Sequence, residues 1–271
     1  MSFISSSFSR SFSAGSRPLT ISSASQLPNL EVWYDASQSL ASTFNSGVIT
    51  SGTEISAWHN GGGLNSHDWN SVGGKRPEWF SNIQNGLGAV RFNGTSAGSP
   101  TGEDADTDES LSINPIAYLQ SLPAATMVIL FRTLTTAAGR RILTSSNTNG
   151  FQWGQNGSQW IGQFAGGTFS VNTATTDTSF HHVVITFDGA QTGDSNRLKI
   201  RLDGADTPVT FTTSVNPTTS ASASSFYGGV DSTGNSNFWI GDMGELMVFT
   251  RALKTMEIVA IEEYITKKWA V

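Results

Sequence analysis

The sequence contains no cysteine. Neither a disulfide nor a thiolate metal site is open to it, and it can fold in any redox compartment. Charge is sparse: 13% of the residues are Asp, Glu, Lys or Arg, about half the usual share. The net charge is −6, and five of the 21 acids crowd into Glu103–Glu109. Setting those five aside leaves acids and bases nearly balanced, so there is no basic footprint for nucleic acid. No apolar run approaches the length that spans a bilayer. Nucleic acid and membrane are therefore not expected as partners. Repeats of solenoid or propeller period and heptad shafts are missing too.

Residues 1–28 hold no acid at all; the first is Glu31. They also lack the apolar segment of a secretion signal, because serines interrupt every candidate. Eleven of the first 25 residues are serine. Such a segment cannot bury enough surface to fold alone. Its Phe3, Phe8, Phe12, Arg10 and Arg17 are spaced as anchors for docking on another protein. The expectation is an extended arm over 1–28 and one folded domain over 29–271. A domain of this length buries roughly three-quarters of its unfolded surface, so no staple is required.

What is there is β pattern closed by a helix. Phe238-Trp-Ile-Gly241 and Glu245-Leu-Met-Val-Phe-Thr250 read as two strands. Ile258, Ile261, Ile265 and Trp269 then recur at helical spacing, with Tyr264 beside them. Glu257, Glu262, Glu263, Lys267 and Lys268 take the opposite face, acids early and lysines late as the helix dipole prefers. Ala124–Arg132 is a nearly continuous apolar run, fit for a strand buried on both faces or packed under the helix. Asn156-Gly157 predicts a two-residue hairpin that pairs Trp153 with Trp160. Those two tryptophans share a face with Phe151 and Phe164, while Gln152, Gln159 and Gln163 take the other. That pattern predicts a sandwich core rather than a sugar platform. Trp58, Trp69 and Trp79 flank glycine loops and are expected to be exposed, as the candidate glycan-binding residues.

The pieces together carry a resemblance. Ile240-Gly241, Gly244-Glu245-Leu-Met-Val-Phe-Thr-Arg251-Ala-Leu253, Glu257, Tyr264 and Lys268-Trp269 resemble the closing motif of LamG-like, concanavalin A-like jelly-roll domains. Val32-Trp-Tyr-Asp-Ala36 resembles the family's opening strand. Trp58 with the loop to His67, Arg76-Pro77, Val90–Gly94, His181–Gly189 and Leu198–Gly204 follow in the family's order. The resemblance covers about residues 30–271 and implies an all-β antiparallel sandwich of jelly-roll type with one C-terminal helix. Lys254 departs from the pattern, which has serine there as the helix N-cap. An ammonium cannot accept a backbone N–H, so Thr255 or water is expected to cap the helix.

Catalytic chemistry is largely missing from the pattern. The resemblance includes glucanases, which need paired carboxylates about 5–5.5 Å or 6.5–9.5 Å apart. An alternating Glu-x-Asp-x-Glu strand is absent. Glu31 and Asp35 share a face, but four strand residues separate them by roughly 13 Å. Asp242 and Glu245 are three apart, which on one regular strand turns them to opposite faces. His181 and His182 likewise diverge, one expected in the core and one at the surface. His59, His67 and Asp68 are a weak zinc pattern, and no metal site is assigned. The acidic loop from Asp104 puts Glu109 and Pro115 where an EF-hand needs glycine and glutamate. Weak calcium binding there is all that the resemblance leaves; otherwise no cofactor is expected.

The resulting expectation is a non-enzymatic structural protein of a virus particle, most readily a phage capsid decoration or cement protein. Its arm would hold it to other virion proteins or to copies of itself. A carbohydrate- or receptor-binding module of a phage tail or cell surface is the alternative.

Overall fold

The computed structural model describes residues 19–38, 43–44, 49–61, 67–71, 76–94, 109–113, 117–136, 139–145, 150–171, 177–222, 225–232, 234 and 236–271. Two antiparallel sheets, nine strands each among these residues, lie face to face. The first runs Ala205–Thr207, Leu198–Leu202, His181–Asp188, Ala124–Thr133, Ile240–Phe249, Leu87–Asn93, Glu78–Gln84 and Thr53–Glu54, with Leu30–Asp35 paired to Ile240–Phe249. The second runs Val209–Phe211, Gly167–Val171, Gln159–Phe164, Gln152–Asn156, Arg140–Ser145, Phe226–Gly228, Leu111–Ile113, Trp69–Ser71 and Ala57–Trp58. The chain is thus a jelly-roll β-sandwich with one C-terminal helix.

The apolar run Ala124–Thr133 holds the position its composition predicts. It is central in the first sheet, between His181–Asp188 and Ile240–Phe249. Ala125, Met127, Ile129 and Phe131 face the inter-sheet core. Val128 and Leu130 face the helix Thr255–Trp269, in a second core with Ile261, Ile265 and Trp269. Both faces are buried, so neither face of the strand needs polar residues. The helix buries Ile258, Ile261, Ile265 and Trp269 as its periodicity predicts. Glu262 and Lys268 do not stay on its wet face: Glu262 is buried against Arg201, and Lys268 reaches inward. Lys254 stands at the N-cap in extended conformation without a side-chain cap. Glu257 supplies the other half of a box, accepting the Lys254 N–H at 2.8 Å.

Residues 238–250 form one strand, Ile240–Phe249, rather than two. A β-bulge between Met243 and Glu245 replaces the expected break. Gly244 stands at the bulge, where a Cβ would lie 2.8 Å from Leu130 and 2.9 Å from the Trp269 ring. The hairpin near Asn156 also differs from expectation. Asn156 pairs with Gln159 and Gln155 with Trp160, so the turn is Gly157-Ser158. Gly157 takes φ 62, the pattern of a Gly-X turn rather than an Asn-Gly one.

The packed domain begins before residue 29. Ser23 caps a short 3-10 turn, Ala24–Gln26. Ile21, Ala24 and Leu27 are buried in the core beneath the helix. Phe3, Phe8, Arg10, Phe12 and Arg17 lie outside the described residues.

Candidate functional site

The carboxylates that the closing and opening strands carry are tied up among the described residues. Asp35 stands directly opposite Glu245 on the neighbouring strand. Lys268 Nζ donates to Asp35 Oδ2 at 2.7 Å and to Glu245 Oε1 at 2.6 Å. Glu245 also accepts from Trp33 Nε1 at 3.0 Å, Trp269 Nε1 at 2.7 Å and the Tyr264 hydroxyl at 3.2 Å. Burial, then the Asp35 charge, pushes the Glu245 carboxyl above its ordinary value, against the pull of Lys268 and Trp269. With 1% of its side chain exposed, it has no face for a substrate. The residues that carry the family resemblance are therefore a structural lock joining opening strand, closing strand and helix.

Asp242 and Glu245 share a face after all, contrary to the expectation for a regular strand. The bulge at Gly244 inserts a residue and resets the alternation. Asp242 is opposite Arg132 and Glu245 opposite Leu130, both on the helix side. Asp242 is fully buried and held by Arg91 at 2.8 Å and Arg132 at 2.5 Å. Glu109 is not solvated either: it is buried and accepts the Asn93 N–H at 2.7 Å. Glu103, Asp104, Asp106 and Asp108 lie outside the described residues, and with them the calcium expectation.

The histidines are structural in their contacts. His181 Nδ1 and Nε2 meet Asp203 at 2.8 Å and Asp177 at 3.0 Å. His182 is buried too, not at the surface, and its ring makes no hydrogen bond among the described residues. The hairpin Leu198–Thr207 covers it through Asp203, which also accepts its backbone N–H at 3.0 Å. His59 and His67 pair with different carboxylates, Asp68 at 2.7 Å and Glu31 at 3.0 Å. No group of three metal-ligating side chains occurs among the described residues.

The candidate glycan tryptophans are buried rather than exposed. Trp58 and Trp69 face each other across paired strands and pack on Tyr34, with Trp69 stacked at 4.8 Å between ring centroids. Trp79 lies over Gly88 and donates to the Ala36 carbonyl at 2.8 Å. Large aromatic surfaces flanking a loop gain more from the core than from water. Trp153 and Trp160 are core residues as expected.

Among the described residues, a groove of about 680 Å3 lies open on the outer face of the first sheet. It lies between the edge strand Ala205–Thr207 and the first turn of the helix. Thr186, Lys199 and Arg201 form its floor, pointing outward by strand alternation. The turn carrying Gln191, Ser195 and Asn196 closes one end. Pro208, Leu253 and Ile258 give it an apolar side. Arg201 is forked between Glu262 at 2.9 Å and Asp206 at 2.7 Å. Sequence reasoning missed this site because its residues come from separate strands and loops. The outward charges of Leu198-Lys-Ile-Arg-Leu202 were the one local signal.

The comparisons with known proteins agree with this fold. A family model described as the concanavalin A-like lectin/glucanases superfamily matches residues 93–259. A sialidase of Trypanosoma rangeli aligns at 16% identity and a TM-score of 0.56, over 89% of this chain and 33% of that one. The same enzyme in complex with 2,3-difluorosialic acid aligns at 15% and 0.56 over the same shares. The chain thus spans about a third of the sialidase's length, and at this identity the likeness is one of fold. A heptameric SAP-like pentraxin from Limulus polyphemus aligns at 13% identity and 0.44, over 64% of this chain and 79% of that one. No curated protein matches the chain. The family is one of lectins and glucanases, and with that family the expectation of a capsid decoration protein is overturned in favour of the carbohydrate-binding alternative.

Proposed function

The chain belongs to the concanavalin A-like lectin/glucanase superfamily, and from that premise we propose that it is a non-catalytic carbohydrate-binding module. The observation that carries the reading is the groove beside the helix. Its hydroxyl and amide side chains, Thr186, Gln191, Ser195 and Asn196, stand around an apolar side. A sugar ring offers the complement of this, a rim of hydroxyls around small apolar patches. Ligand sites commonly join apolar walls to a few convergent polar groups.

The acids of the described residues support the non-catalytic part of this reading. Glu245 and Asp242 are buried and paired. In the groove, Asp188 and Asp206 are two strand spacings and about four residues apart, roughly 16 Å. That exceeds the 9.5 Å or so at which a carboxylate pair still brackets a water and a glycosidic bond.

Glycan-array binding followed by calorimetry on the best ligand tests the reading. Wild-type chain should bind at least one saccharide, and Ser195→Trp, which fills the groove from an exposed position, should abolish it. Binding unaffected by Ser195→Trp would place the site elsewhere, and a chain that binds no saccharide would end the proposal.

A further inference from the structure

We infer that the groove selects acidic saccharides, with the Lys199 ammonium as the anchor for a carboxylate or sulfate; this rests on the carbohydrate-binding reading above. Lys199 is exposed on the groove floor and has neither an ion pair nor a hydrogen bond among the described residues. The other groove charges are engaged. Arg201 is paired with both Glu262 and Asp206, which together carry one more charge than it does. Asp188 is held on the turn side by Gln191 Nε2 at 2.8 Å and Ala190 N at 3.2 Å. Arg197 donates to the carbonyls of Gln191 at 2.9 Å and Val215 at 2.8 Å, and meets no carboxylate among the described residues. Arg197 is thus a second cation at the groove with no ion pair among the described residues, set against Asp188, whose partners there are neutral.

No aromatic residue lines the groove among the described residues. A neutral sugar would find no ring to stack on, and its neutral hydrogen bonds would mostly exchange for those to water. An anionic sugar gains a charge-assisted bond to Lys199, roughly twice as strong as a neutral one. The Thr186 hydroxyl, directly opposite Lys199 on the neighbouring strand, and the Ser195 hydroxyl form no hydrogen bond among the described residues. They supply the contacts to ring hydroxyls. The whole chain carries a net charge of −6, so a polyanion is repelled overall and its binding requires a local site.

Affinity electrophoresis of the full chain separates the cases, with gels containing polygalacturonate (carboxylate), dextran sulfate (sulfate ester) or dextran (neutral). The variants are Lys199→Ala, Lys199→Glu and Lys267→Glu, the last on the exposed face of the helix with the same change of charge. Retardation by polygalacturonate, dextran sulfate or both, weakened at least about tenfold by Lys199→Glu and less by Lys199→Ala, with Lys267→Glu unchanged, supports the inference. Retardation by polygalacturonate alone identifies a carboxylate ligand, and by dextran sulfate alone a sulfate ester. Equal retardation by dextran, indifferent to Lys199, overturns the inference and leaves the carbohydrate-binding reading standing. Equal losses in Lys199→Glu and Lys267→Glu also overturn it, since the attraction is then diffuse. Failure to migrate differently in any gel overturns the inference, and the glycan array then decides the broader reading.

Discussion

Asp35 and Glu245, 210 residues apart in the chain, stand opposite each other and share one ammonium, with Lys268 Nζ at 2.7 Å from the first and 2.6 Å from the second. The first comes from the opening strand and the second from the closing strand, while the lysine comes from the last turn of the helix. Removing the ammonium leaves two facing carboxylates partly out of water. Lys268→Met should cost about 3 kcal/mol in urea denaturation, the lower end for breaking a buried pair because Lys268 and Asp35 keep some exposure although Glu245 does not. The cost should be larger at alkaline than at acid pH. The Glu245 carboxyl is already held above its ordinary value by burial and by Asp35, and losing Lys268 raises it further. A raised carboxyl binds a proton in the folded state that the unfolded state has released. Stability therefore falls as pH rises from the ordinary carboxyl range through the raised value. A pH-independent cost would show that the two acids do not interact.

Gly244 and Trp269 should be energetically coupled. Trp269 is fully buried and its indole N–H binds Glu245, so Trp269→Ala should cost about 3–5 kcal/mol. Gly244→Ala forces a methyl to within 2.9 Å of the same ring and should cost about 1–3 kcal/mol as overpacking. In the Trp269→Ala background the alanine has room on that side, and its cost should shrink. Additive losses in a double-mutant cycle would count against this contact.

His181 and His182 should act on acid stability in opposite senses. For His181, burial pulls the pKa down, but Asp203 and Asp177 outweigh it and the net shift is upward. Its stabilisation is present in full below the unfolded value and is lost as pH rises through the folded one. For His182, burial lowers the pKa against the pull of Asp203 and Glu262. Its contribution is present above the unfolded value and is lost as pH falls through the folded one. Thermal melts on either side of the unfolded value near 6.5 should show His181→Asn losing more Tm on the acid side. His182→Leu should gain on wild type as the pH drops. Parallel curves for all three proteins would contradict both assignments.

Catalysis should be undetectable. Incubation with neutral and acidic polysaccharides should release no reducing ends above the uncatalysed background. Turnover that vanished on replacing Asp188 or Asp206 would refute the reading, since those are the carboxylates that the groove exposes.

Sequence by itself determined the fold class, the buried central strand, the apolar face of the helix and the closing motif. These are written in local periodicity, which depends on near neighbours and on which face meets water. It did not determine register. One bulge at Gly244 turned Asp242 and Glu245 to the same side, and one residue of slip moved the hairpin to Gly157-Ser158. Tertiary structure alone decided that Trp58, Trp69 and Trp79 go inside, because the cavity and strand partners that receive them lie far away in the chain. It also decided that the motif acids Asp35 and Glu245 are spent on one lysine. The groove, too, exists only where an edge strand, a turn and the start of the helix converge. Pairing over long sequence separation brought these together, and no spacing within a single segment encodes it.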